Sequence, residues 1–292
     1  MKTKLLSSAL VAAFILLSSI AFAAEDYYKE IRKSFAVNAN VTLRAEINFA
    51  NLRIETWDKN HMEIVVKIDA NVKSEKRAEE IYNSVSIEEG SSIVTVRVDP
   101  KNGWKGSESV SINVEIKMPK GASLLGSQDF GNVTITNPLH GKVDFDVDYG
   151  NFDSGELKYS DNDLSISFGN ATIALWSGGD IEVEYGNIKL RDIVGTSDIE
   201  DNFGNVDIRS ISKGCKMLKI DCEYGNIDVN TGGVGCTFET SVSYGDIDLG
   251  GEYNVTSKET EMFSKEIRGT AAGGGVVINL DCSFGNIDLS FK

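Results

Sequence analysis

Residues 143–154 read Val143-Asp144-Phe145-Asp146-Val147-Asp148-Tyr149-Gly150-Asn151-Phe152-Asp153-Ser154. Apolar and acidic side chains alternate up to the tyrosine, and an apolar residue follows the asparagine. A period of two on both sides of a break means two short strands, each with one buried face. Gly-Asn reads as the corner between them, because both residues tolerate positive φ. Ile181-Glu182-Val183-Glu184-Tyr185-Gly186-Asn187-Ile188-Lys189-Leu190 repeats the same grammar.

The aromatic-Gly-Asn triplet occurs eight times. The copies are Phe130-Gly131-Asn132, Tyr149-Gly150-Asn151, Phe168-Gly169-Asn170, Tyr185-Gly186-Asn187, Phe203-Gly204-Asn205, Tyr224-Gly225-Asn226, Tyr244-Gly245-Asp246 and Phe284-Gly285-Asn286, Asp replacing Asn once. Successive starts lie 19, 19, 17, 18, 21, 20 and 40 residues apart, the last gap being a doubled period. Such a period is too short for a domain and marks one supersecondary unit stacked on copies of itself. Three residues past each aromatic stand Val133, Phe152, Ala171, Ile188, Val206, Ile227, Ile247 and Ile287, an apolar column that should face inward. Beside it runs an outward column of Thr134, Asp153, Thr172, Lys189, Asp207, Asp228, Asp248 and Asp288.

A hairpin meander, a transmembrane barrel and a solenoid all use alternating strands. The strand runs are too short for a membrane strand, and the aromatics mark one corner rather than two interfaces. A meander would set equivalent residues two strands apart, giving no reason for identity at one position. A solenoid stacks them about 4.8 Å apart, as an aromatic stack and an amide ladder. The expected fold is therefore all-β: a β-solenoid, or parallel β-helix, of coils of about 19 residues. Eight steps from Phe130 to Phe284 predict a stem of roughly 38 Å. Phe263-Ser264-Lys265-Glu266-Ile267 falls at the right interval for a further coil with a disturbed corner.

Lys2 and Lys4, an apolar run from Ala9 to Ile20, and Ala21-Phe22-Ala23 read as a secretory signal peptide over residues 1–23. No second long apolar run follows, so no transmembrane segment is expected after cleavage. Location is then the periplasm, cell surface or extracellular space. Residues 24–120 read as an irregular β-rich N-terminal cap, and residues 121–292 as the solenoid. The cap holds a worn triplet, Phe49-Ala50-Asn51, and one helix over about 74–85, with Ala78, Ile81, Tyr82 and Val85 at helical spacing. Met118-Pro119-Lys120-Gly121 makes the joint. A formal charge of −15, falling to −17 without the two signal-peptide lysines, argues against nucleic acid as a partner. An unknown protein or glycan at the cell envelope remains. The chain also stops at Phe291-Lys292, right after a strand, which leaves an open edge for end-to-end self-association.

Cys215, Cys222, Cys236 and Cys282 all lie in the repeats. Cys215 and Cys236 fall at equivalent places in successive copies, so a disulfide between them is geometrically allowed. Cys222 and Cys282 each precede their aromatic by two residues and read as buried hydrophobes three units apart, too distant to pair. No catalytic residues are assigned: His61 and His140 stand apart, and no hydrolase, zinc-protease or phosphate-loop motif is present. No cofactor is implied. Asp207, Asp228 and Asp248, with Asp288, form the one constellation that could take a cation, although calcium-binding nonapeptide spacing is absent.

Taken together, the leader, the strand-rich stretch ending in Lys117-Met118-Pro119, and the Phe/Tyr-Gly-Asn-Ile-Asp-Leu grammar resemble the bacterial "putative adhesin" family. These are β-strand-repeat envelope proteins otherwise labelled as domains of unknown function. The resemblance covers nearly the whole mature chain and implies a β-solenoid with an exported, envelope-associated role. It supplies no catalytic residues. The expected function is thus a non-enzymatic structural or binding solenoid. The alternative is a polysaccharide lyase or hydrolase on the same scaffold, with Lys189, Arg191 or Arg209 supplying the base beside the acidic column.

Overall fold

The computed structural model describes residues 25–101, 103, 104 and 108–292; the signal peptide expected over 1–23 lies outside them. The alternating runs form two stacks of parallel strands, one before the corner and one after it. Before the corner, Phe145 pairs with Leu164, Leu164 with Ile181, Ile181 with Ile199, and Ile199 with Ile220. After it, Val133 pairs with Phe152, then Ala171, Ile188, Val206 and Ile227 follow in register. A third, narrow side is closed by Leu139, Leu157, Trp176, Ile193 and Ile211. All of these side chains are buried. Each large one contributes about 1.5–3 kcal/mol by leaving water. This is a β-solenoid, and Tyr149 and Phe168 do sit on neighbouring coils.

Coil order in space departs from coil order in sequence. The strand Met217–Tyr224 pairs not with Cys236–Tyr244 but with Val276–Phe284, and Cys236–Tyr244 lies on the far side of that strand. After the corner, Ile287–Ser290 likewise separates Ile227–Asn230 from Ile247–Gly250. The C-terminal coil is therefore intercalated between two coils made earlier in the chain. The expected further coil at Phe263 is absent. Asn254–Thr260 and Lys265–Ala271 form an antiparallel hairpin instead, the second strand running back along Cys236–Tyr244. That excursion, not an extra lap, doubles the last period. From Phe130 to Tyr244 the stack has seven steps, hence roughly 34 Å rather than 38 Å. The open edge expected at the chain end is corrected too. The strands Val276–Phe284 and Ile287–Ser290 are paired on both sides, and the outermost strands at that end are the polar Asn254–Thr260 on one sheet and Ile247–Gly250 on the other.

The N-terminal end repeats the device. Thr42–Asn48 lies between Ile93–Val98 and Ser123–Asp129, and Asn51–Trp57 between Ser109–Pro119 and Val133–Thr136. Antiparallel strands then cover the first coil: Val85–Glu88 on one sheet, His61–Val72 and Glu25–Ala36 on the other. An end covered in this way presents no apolar coil face to water. The helix is Glu75–Tyr82, shorter than the 74–85 expected. Ser74 caps its start by accepting from the Arg77 amide. Ser84 ends it by donating to the Ile81 carbonyl, and Val85 already belongs to a strand. Arg77 is tied to Glu108 at 2.9 Å.

The corner glycines share a steric reason, joined at Gly169, Gly225 and Gly285 by positive φ. Left-handed backbone at the early corners falls on the aromatic, with φ of 56° at Phe49, 56° at Phe130 and 55° at Tyr149. A Cβ on any of the eight triplet glycines would stand 1.4–1.9 Å from the carbonyl oxygen of the residue one coil below. Only a residue without Cβ lets the coils close to sheet spacing. Gly204→Ala, whose Cβ would lie 1.4 Å from the Gly186 oxygen, should cost about 2–4 kcal/mol. Gly250→Ala, with nothing nearer than 3.7 Å, should stay within about 1 kcal/mol of wild type. Urea unfolding of both variants, read by far-UV circular dichroism, checks this pair.

Candidate functional surface

The corners line up into one ridge. Phe49, Phe130, Tyr149, Phe168, Tyr185, Phe203, Tyr224, Phe284 and Tyr244 stack in that order, with ring centroids 4.6–5.0 Å apart and planes within 9° of parallel. Each ring of the eight triplets stays 40–52% exposed. Their faces are spent on one another, so solvent and any partner meet ring edges and tyrosine hydroxyls. In sequence order the rings run Phe, Tyr, Phe, Tyr, Phe, Tyr, Tyr, Phe from Phe130. The intercalated order turns this into strict alternation.

Beside the ridge runs the amide ladder. Each Asn Oδ1 accepts from the backbone amide and the Nδ2 of the Asn one coil on, at 2.9–3.2 Å, from Asn132 through Asn151, Asn170, Asn187, Asn205 and Asn226 to Asn286. Asn51 begins the ladder by accepting from the Asn132 amide. Asp246 ends it, which explains the one departure from Asn. Its amide donates to Asn286, but no further Asn follows to donate to its own side chain. Lys265 fills that place, and the ammonium holds the Asp246 carboxyl below its ordinary range.

The outward acids also form rows. Asp207, Asp228, Asp288 and Asp248 stand in register on neighbouring strands, with Asp288 between Asp228 and Asp248. Lys189 is the next member of that row. Partial burial, then Asp207 and Asp288, raise the Asp228 carboxyl. A second row, Asp144, Asp163, Asp180 and Asp198, crosses the other sheet and ends at Lys219. Among the described residues no group of three or more His, Cys, Asp or Glu is arranged to hold a metal ion. His61 and His140 remain apart, His61 Nε2 lying 2.8 Å from Ser34 Oγ on exposed strands. Among the described residues no helix is long and apolar enough to cross a membrane.

The interior holds what the sequence reading missed. Two residues before each aromatic lies a buried column, and the intercalation makes its order Gln128, Val147, Ile166, Val183, Asp201, Cys222, Cys282, Val242. Asp201 is fully buried, and neither carboxylate oxygen has a well-formed hydrogen bond. An acid in a column of aliphatic residues was the available signal. All four cysteines are free and buried. The expected Cys215–Cys236 bond is not formed, because Val276–Phe284 runs between their strands and sets them about two sheet spacings, roughly 9.6 Å, apart. The pair judged too distant is the adjacent one: Cys222 and Cys282 are register partners.

No protein-family model matches the chain, and no curated protein matches it. Among solved structures it is similar to a "putative adhesin" from Bacteroides fragilis, at 13% identity over 89% of this chain and 97% of that one, TM-score 0.45. A "putative lipid binding protein" from Parabacteroides distasonis aligns at 14% identity over 89% and 96% of the two chains, TM-score 0.38. A "putative cell adhesion protein" from Clostridium sporogenes aligns at 11% identity over 90% and 99%, TM-score 0.32.

Burial pushes the Asp201 carboxyl up to about 7, against a smaller opposing pull from the Phe203 amide. Val183 and Cys222 are its neighbours in the column. The unfolded chain releases this proton near pH 4, so between about 4 and 7 only the folded state holds it. Stability should therefore fall across that window. Asp201→Asn should abolish this component of the slope and be more stable above pH 7, by up to about 4 kcal/mol. Denaturant midpoints of both proteins from pH 4 to 8 test the sign.

Proposed function

We propose that this protein is an exported, non-enzymatic solenoid that binds an envelope protein or glycan along its side faces. The observation that carries this reading is the regularity of the outer surface. The ridge of ring edges, the amide ladder and the acidic rows repeat at sheet spacing along the stem. Repeat architectures use such extended faces for binding. Of the side chains that would serve a lyase, Lys189 adjoins Asp207 in the outward row. Export rests on the leader at residues 1–23 and suits the acidic, interspersed charge.

Purified protein lacking residues 1–23 should show saturable retention on envelope fractions and release no sugar from a panel of acidic polysaccharides. Protease treatment of the fractions should abolish retention if the partner is a protein, and periodate should do so if it is a glycan. Absence of saturable retention, or turnover on the panel, overturns the reading.

A further inference from the structure

The intercalated coil creates a mechanical problem. Residues 276–290 are the last strands made, yet they must enter between Met217–Asn230 and the pair Cys236–Tyr244 and Ile247–Gly250. Without them, Cys236–Tyr244 could close directly onto Met217–Tyr224, ring on ring and Asp248 on Asp228. The native order therefore depends on the inserted strand meeting both neighbours, and it meets the earlier of them where Val276–Phe284 pairs with Met217–Tyr224. At that surface, and buried on both sides, Cys222 faces Cys282.

We propose that Cys222 and Cys282 form a disulfide across neighbouring coils, stapling the C-terminal coil into the stem. Four observations converge. The two residues are register partners in adjacent parallel strands, so their Cα atoms stand about 4.8 Å apart, inside the range a disulfide spans. Both side chains point into the same buried column. Each thiol is held by only a weak hydrogen bond, Cys222 Sγ donating to the Gly204 carbonyl at 3.8 Å and Cys282 Sγ to the Gly225 carbonyl at 3.4 Å. Asp201, the buried carboxyl with neither oxygen in a well-formed hydrogen bond, occupies the next place in that column beside Cys222.

The chemistry needs an oxidant of the disulfide class, met during folding before the coil is sealed, and its supply rests on the proposed export. Cys282, its proton passing to solvent, attacks one sulfur of that disulfide, forming a mixed disulfide and expelling one thiolate. Cys222 loses its proton to the Asp201 carboxylate and attacks the Cys282 sulfur, expelling the second thiolate. Two protein thiols give up two electrons and two protons, and the oxidant's disulfide becomes two thiols. The bond closes the chain from 222 to 282 and with it the hairpin and both terminal coils. A covalent loop of that length removes much of the unfolded chain's freedom. Cys215 and Cys236 stay reduced, being held apart by the inserted strand.

The test uses the purified chain without residues 1–23, denatured, reduced and refolded in a mixture of oxidised and reduced glutathione. Free thiols are blocked with iodoacetamide, and unreduced proteolytic peptides are read by mass spectrometry. A Cys222–Cys282 linkage is expected, with Cys215 and Cys236 alkylated. The Cys215→Ser/Cys236→Ser double variant should form the same bond. Oxidation should raise the guanidinium midpoint of both proteins and leave that of Cys282→Ala unchanged. Four alkylated cysteines, a linkage through Cys215 or Cys236, or a midpoint unmoved by the bond overturns the proposal. Protein recovered from cells separates the two readings. A bond that forms in the glutathione mixture but is missing there counts against export, while the staple stands.

Discussion

Everything in this molecule depends on how closely one coil can approach the next. Parallel strands pair at a fixed spacing near 4.8 Å, and at the corner the backbone itself must meet that spacing. There the carbonyl of one coil occupies the place where a Cβ of the next would be, so a glycine column is obligatory. Once that approach is allowed, the aromatic before each glycine and the amide after it fall into contact with their counterparts. Ring stacking adds about 0.5–1.5 kcal/mol per pair, and each hydrogen bond of the ladder about 1 kcal/mol net. These terms are modest singly. Repeated along the stem, they select one register, because a slip of one residue would turn every buried side chain outward.

The two ends obey a second constraint: a stack of coils exposes apolar surface wherever it stops. Both ends meet it by sending the chain past its neighbour and back. At the N-terminal end a returning coil and antiparallel strands lie beneath Thr42–Trp57. At the C-terminal end the hairpin Asn254–Ala271 covers one side while the final coil slips inside. The single Asp among the corner amides marks the outer limit of the ladder, where a lysine rather than another amide completes the row. Thr240 marks the same limit inside, its hydroxyl donating to the Ile267 carbonyl of the covering strand.

The interior is less uniform than its aliphatic columns imply. Gln128 donates to the Ala50 carbonyl at 2.5 Å, whereas Asp201 has no such satisfaction and Cys222 and Cys282 follow it directly. A buried carboxyl beside a thiol pair costs stability and is rare without a use. Its place one strand from the inserted coil connects that local cost to the topology. The outer faces differ, with acids spaced in register along both sheets.

Alternation, a fixed period and identical corner residues sufficed to read the solenoid, its inward and outward columns, and Phe49 as a worn corner, because those features are local and repeat. The helix was legible from Ala78, Ile81 and Tyr82, though its end was not, since it is set by the cap at Asn83 and by Ser84 turning back onto the Ile81 carbonyl. What the linear chain could not supply was which coil lies on which. A doubled interval fits an extra lap or a hairpin equally well, and only pairing decided for the hairpin. That choice brought Cys222 to Cys282, parted Cys215 from Cys236, and set Asp201 beside the thiols. Repetition is written into the chain by chemistry every twenty residues or so, but neighbourhood across a repeat is settled by which strand edges are free when the last segment arrives.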